Sequence, residues 1–184
     1  MKIFVTGHTS GIGQAVYNLA KANGYTVAGG SRSTGFDISD NTVYSQVLDY
    51  DVLVNNAYHY TGQLELLKYT HHHWTQTLKK IINVGTWNID TLRGRPLSRL
   101  NYNVAKKSLE TYSFWISDNE TNCKSMMYNP GYVDTPLARQ GMDDWPVADQ
   151  QRVLAQSMSA EECAKTIMFM IESRHKIKEL THVY

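Results

Sequence analysis

Apolar and polar positions along the chain follow two alternating periods, and the switches between them outline the elements. "KIFVT" is a short apolar run that reads as a strand. "GIGQAVYNLAKANG" then places Ile12, Val16, Leu19 and Ala20 on one stripe of a helix, with Gly24 where such a helix stops. "YTVAGG", "DVLVNN", "KIINVG" and "KSMMYN" read as further strands. Helical patterns run around Thr42 to Leu48, Leu64 to Leu78 and Tyr102 to Ile116. Another follows over "SAEECAKTIMFMIES", where Ser159 and Glu162 have capping-box spacing, and "KELTHVY" is placed to close the sheet. This alternation predicts the α/β class: a single Rossmann-type domain over residues 1–184, doubly wound, with a mostly parallel sheet and helices on both faces.

Composition narrows the partners. The chain has 184 residues, 42% of them hydrophobic and 19% charged, with a formal charge of +1, so it lacks the basic excess of a nucleic-acid surface. Cys123 and Cys163 form no metal-ligand spacing and suit a reducing compartment. "MKIFVTGHTSGIG" enters a strand and a glycine loop directly, unlike a signal peptide or a membrane span. A cytoplasmic protein with no nucleic-acid or membrane partner is expected. The run His71 to His73 invites a metal reading, but adjacent helical side chains diverge by about 100°, so an exposed helix end is expected instead.

Candidate chemistry begins at "TGHTSGIG". Gly7, Gly11 and Gly13 lie between the first strand and the first helix, together with Thr9, Ser10 and Ile12. A dinucleotide-binding fold places its pyrophosphate there, because glycines let the backbone approach the phosphates and the helix N-terminus favours their charge. Two near-identical pentapeptides follow, "YNLAK" from Tyr17 and "YNVAK" from Tyr102, each with Tyr and Lys one helical turn apart. Composition alone supplies about one such pair, so the spacing by itself does not choose between them. Tyr17 and Lys21 fall off the apolar stripe of the first helix and are expected to face solvent.

Four motifs in order then resemble the short-chain dehydrogenase/reductase family over nearly the whole length. "TGHTSGIG" matches its glycine loop, "DVLVNNA" resembles its N-N-A-G strand end with Tyr58 in place of the glycine, "YNVAK" matches Y-x-x-x-K, and "NPGYVDT" resembles its P-G-x-x-x-T turn. The resemblance implies an NAD(P)-dependent oxidoreductase that moves a hydride between nicotinamide and a small carbonyl or alcohol substrate. In that reading Tyr102 is the acid/base and Lys106 lowers its pKa and reaches the nicotinamide ribose, while Thr86 of "IINVGTWN" holds the substrate oxygen in the place of the family's serine. Asn56 and Ala57 would lie beside the nucleotide, and Pro130, Gly131, Val133 and Thr135 would border the nicotinamide.

The chain also departs from the family's pattern. Thr86 precedes Tyr102 by more residues than is usual, so a small insertion is expected in "WNIDTLRGRPLS", with Ser98 capping the helix that follows. Only the stretch from Tyr58 to Lys80 is left for the fourth helix, and the family's helix-borne asparagine has no evident counterpart. A homo-oligomer remains compatible with the resemblance, with that pairing surface shortened. One alternative is a catalytically inactive dinucleotide-binding sensor or scaffold. Another is a sugar-nucleotide-modifying relative, which the lack of room for a C-terminal substrate domain disfavours. The segment 136–158, with Trp145 and Met142, is expected either as a substrate lid or as a surface excursion with a helix.

The end of the second strand bears on the choice of cofactor. Where an acid would bind the ribose hydroxyls of NAD, "GGSRS" offers Ser31 and Arg32, a hydroxyl and a guanidinium suited to a phosphate. NADP(H) is therefore favoured over NAD(H). Asp37 follows a short predicted strand and, by the resemblance, would contact adenine.

Overall fold

The computed structural model describes residues 1–87, 97–119, 121–143 and 145–182, with the backbone alone at 97–99. Six strands, β1 (Lys2–Thr6), β2 (Thr26–Gly30), β3 (Val52–Asn55), β4 (Lys80–Val84), β5 (Lys124–Asn129) and β6 (Glu179–Thr181), form one sheet in the order β2-β1-β3-β4-β5-β6. Every neighbouring pair is parallel. Successive strand residues point to opposite faces, which divides the core in two. Ile3, Val5, Val52, Val54, Ile82 and Val84 face α1 (Gly11–Ala22) and α6 (Ala160–Glu172). Phe4, Leu53, Ile81 and Met127 pack with Leu66, Leu67 and Trp74 of α2 (Gly62–Trp74) and with Leu109 and Ile116 of α3 (Leu97–Asp118). Fully burying one such aliphatic side chain is worth roughly 1.5–3 kcal/mol, so the near-continuous apolar runs of the inner strands are what hold both layers on.

The ends of the elements follow local chemistry. Gly24, at φ +82°, takes the left-handed conformation that closes α1. Ser159 and Glu162 form the expected reciprocal capping box at the start of α6.

Several expectations are corrected. The stretch around Thr42 to Leu48 is a 3-10 helix, Asn41–Val47, started by the Asp40 carboxylate accepting from the Thr42 N–H. The short strand expected before Asp37 is a 3-10 turn, Arg32–Thr34. Helix α3 starts at Leu97, so Ser98 is its second residue and not its cap. The insertion expected in "WNIDTLRGRPLS" lies almost wholly on residues 88–96, outside the described residues. Within 136–158 the chain forms two short helices, α4 (Pro136–Gln140) and α5 (Val147–Ala155). His71 is buried against Tyr112 and Trp115, and only His72 and His73 are exposed. Among the described residues no cluster of His, Cys, Asp or Glu could hold a metal ion, and no helix is long and apolar enough to cross a membrane.

Candidate active site

The strand order reverses beside β1: the chain passes first to β2 on one side and then to β3 on the other. In open α/β sheets that reversal leaves a crevice beyond the carboxyl ends of the strands. "TGHTSGIG" leaves β1 into it. Thr6 is fully buried, and its hydroxyl accepts the N–H groups of Asn56 and Ala57, both at 2.9 Å, while donating to the Val54 carbonyl. The Asn56 side-chain amide returns to the Thr6 carbonyl at 3.0 Å. The predicted residues Asn56 and Ala57 are thereby stapled to the glycine loop.

The loop's glycines are required by contact. Gly7 has φ +71°, and a Cβ on Gly13 would run into the Gly7 carbonyl and the Asn56 amide. A Cβ on Gly11, at φ +53°, would stand 3.2 Å from the Thr135 methyl, so the loop abuts the "NPGYVDT" turn. Ser10 is the N-cap of α1 yet makes no side-chain capping bond, and the first turn holds no acid. A cleft of about 360 Å³ adjoins this helix start, lined by Ser10, Gly11, Gln14, Asp134, Pro136 and Ser159. His8 packs on Gly29 and lies 5.2 Å from the Tyr17 ring, so Tyr17 is half-buried against the loop and only Lys21 is exposed. The expectation that both residues of the first pentapeptide face solvent is corrected at Tyr17.

The second pentapeptide lies in a different environment. Lys106 is 3% exposed, and its Nζ lies 5.6 Å from the centroids of both the Tyr102 and Tyr58 rings, which meet edge-to-face at 4.9 Å. Its ammonium donates to the Val84 carbonyl at 2.7 Å and to Gln63 Oε1 at 2.9 Å. Burial pushes the Lys106 pKa down to about 7. The ligand-free lysine therefore carries its charge only up to about neutral pH, and a bound anion would extend that range. Burial also raises the Tyr58 phenol pKa, with the Tyr60 phenol adding to the rise.

Sequence reasoning missed Gln63 as a partner for Lys106. It is 2% exposed, and its amide donates to the Asn55 carbonyl at 2.5 Å and the Val84 carbonyl at 3.0 Å. Behind it, Asn55 donates to Asn83 Oδ1, and Asn83 donates to Ser113 and Ser125. This polar ladder crosses β3, β4 and β5 beneath α3.

The remaining predicted residues lie on other loops, and those of the second-strand end, Ser31, Arg32 and Asp37, follow β2 on the far side of β1 from this centre. Thr86 lies two residues after β4, in a segment tied to β5 and its exit by the Gly85 N–H on the Tyr128 carbonyl and the Trp87 N–H on the Pro130 carbonyl. Val133 bridges Met158, and the Thr135 hydroxyl caps α4. Met142 is buried, and Trp145 meets Tyr132 edge-on at 6.2 Å. Ser31 is buried with its hydroxyl bonded to Ser33 and Thr34, whereas Arg32 is exposed. Hydrogen bonds from Ser39 hold the Asp37 pKa below the usual carboxylate value, helped by the charges of His59 and Arg32.

No protein-family model and no curated protein sequence matches the chain. Solved structures do match. A 3-alpha-hydroxysteroid dehydrogenase from Pseudomonas sp. B-0831, complexed with NADH, aligns with a TM-score of 0.78 at 19% identity over 100% of this chain and 95% of its own. A small-chain dehydrogenase in complex with NADPH aligns at 0.72 and 19%, covering 100% and 96%. A short chain dehydrogenase from Burkholderia cenocepacia J2315, in complex with NADP, aligns at 0.72 and 17%, covering 96% and 93%. With the all-parallel order and the glycine loop at its reversal point, the chain has the short-chain dehydrogenase/reductase fold.

Proposed function

We propose that this chain is a member of the short-chain dehydrogenase/reductase family and works as an NAD(P)-dependent oxidoreductase on a small carbonyl or alcohol. The observation that carries the reading is Lys106. A lysine buried this deeply is costly, no carboxylate among the described residues offsets it, and its ammonium faces the Tyr102 ring beside a dinucleotide-type crevice. The residues present fit a dinucleotide: the N–H groups at the start of α1 are uncapped by side chains, and the loop above them tolerates only glycine at Gly13. The solved structures of this fold named above hold NADH, NADPH or NADP.

When bound, the nicotinamide supplies or accepts the hydride at the substrate carbon. In reduction, the carbonyl oxygen gains negative charge and takes the Tyr102 phenolic proton; in oxidation, the Tyr102 phenolate takes the alcohol proton. A free phenol, with pKa about 10, is too weak an acid for this at neutral pH, and a charged Lys106 one turn away lowers that value. The Thr86 hydroxyl donates to the same oxygen as its charge develops. With the Ser31 hydroxyl engaged in its own turn, recognition of a 2′-phosphate falls to Arg32, and NADPH is the preferred cofactor on that basis.

The test is oxidation of NADPH and NADH across a panel of carbonyl compounds, with cofactor binding measured in parallel. Turnover on at least one compound is expected. Tight cofactor binding with no turnover on any compound would instead support a sensor or scaffold.

A further inference from the structure

The amide of Gln63 has one orientation available to it. Both Nε2 hydrogens are taken by carbonyls on adjacent strands, Asn55 on β3 and Val84 on β4, so Oε1 is left facing Lys106. The residue is 2% exposed, at the start of α2. Beside it, the Val84 carbonyl accepts both Lys106 and Gln63, using its two lone pairs. Two of the three Lys106 hydrogens are thus directed inward, and the third is left for the side on which Tyr102 and Tyr58 stand.

We propose that Gln63 is a positioning residue for Lys106: its fixed amide oxygen orients the ammonium toward Tyr102 and sets how readily that ammonium keeps its proton. The proposal rests on the reading of Tyr102 and Lys106 as the reacting pair. Among the described residues, the titratable groups facing Lys106 are the Tyr102 phenol on its own helix and the Tyr58 phenol from the loop after β3. Helix α2 contributes only the neutral Gln63 and β4 only the Val84 carbonyl, while the acid one turn further along α3, Glu110, pairs with Lys107. Gln63 is therefore a group at which a neutral substitution, Gln63→Met, changes the Lys106 proton affinity without adding or removing a charge.

The direct readout needs no cofactor. Protein labelled at lysine Cε is titrated by NMR, with the Lys106 signal identified by its loss in Lys106→Met. Gln63→Met removes the acceptor and should lower the Lys106 titration midpoint by about one to two pH units, the equivalent of a hydrogen bond to a charged donor. Gln63→Glu keeps the shape and adds a negative charge, and should raise the midpoint by at least as much. In the wild-type kinetics, alcohol oxidation should rise with pH through the Tyr102 ionisation, and Gln63→Met should displace that limb to higher pH. A midpoint unchanged in whichever of the two variants folds would overturn the proposal. Opposite shifts in the two variants would support it, even if the wild type turned over no carbonyl and only the oxidoreductase reading failed.

Discussion

Replacing Lys106 with methionine should make the ligand-free protein more stable near neutral pH and less stable in alkali. The folded lysine gives up its proton at about 7 against 10.5 when free. At about 1.4 kcal/mol for each tenfold change, that gap places roughly 5 kcal/mol of strain on the charged form. The unfolded chain holds a proton between those values that the folded chain lacks, so wild-type stability climbs as pH rises through this window. Methionine removes the penalty and keeps an unbranched side chain, but it leaves Gln63 Oε1 buried without its donor, at a cost of about 1–3 kcal/mol. The Val84 carbonyl keeps the Gln63 amide and is not orphaned. The variant should therefore be more stable by roughly 2–4 kcal/mol at about pH 6.5, and the advantage should vanish and then reverse toward about pH 10. Urea denaturation of both proteins at a series of pH values measures the difference while cancelling every other titration. A difference that does not change with pH would refute the reasoning, and so would a variant that is less stable throughout.

Gly13→Ala should lower stability by about 1–3 kcal/mol and weaken nicotinamide dinucleotide binding, because the new methyl meets the Gly7 carbonyl and the Asn56 amide; titration of NADPH fluorescence checks it. Burial, with a smaller push from His72, holds the His71 pKa below 6.5, so its contribution is intact above that pH and lost as pH falls beneath it. His71→Leu should flatten the acid side of the stability profile, as measured by thermal unfolding between about pH 5 and 7. Arg32→Glu should weaken NADPH binding more than NADH binding, by about tenfold or more, and equal dissociation constants in the wild type would remove the basis for a preference.

The sheet was legible in the sequence because its inner strands are short apolar runs set off by glycines and turn residues. Each run sits between helical patterns long enough to show a stripe. The glycine loop and the Tyr102/Lys106 pair were legible for a related reason: their spacing is local, and a helical turn or a strand-to-helix loop brings the residues together without help from the rest of the fold. Gln63 was not legible. It meets Lys106 across 43 residues of chain, and its place depends on where α2 begins after the "NNAYHYTG" loop. Tyr58 was visible only as a departure from a glycine, and its edge-on contact with Tyr102 depends on how α3 packs over that loop. His71 and Tyr17 were misplaced because helical periodicity does not reveal which neighbours lie over the polar side of a helix. His71 is covered by Tyr112 and Trp115 from α3, and Tyr17 packs against His8 from the loop. The 3-10 helix Asn41–Val47 has too little chain for a full α-helical stripe, and its pattern did not separate the two.

The central claim is that Tyr102 moves the proton while a bound nicotinamide moves the hydride. The most direct test is Tyr102→Phe, assayed by cofactor oxidation on whichever carbonyl the wild type reduces and by cofactor binding in parallel. The account predicts NADPH binding within about threefold of wild type and turnover lower by roughly 10²–10⁴. A phenylalanine variant that keeps full turnover would contradict it.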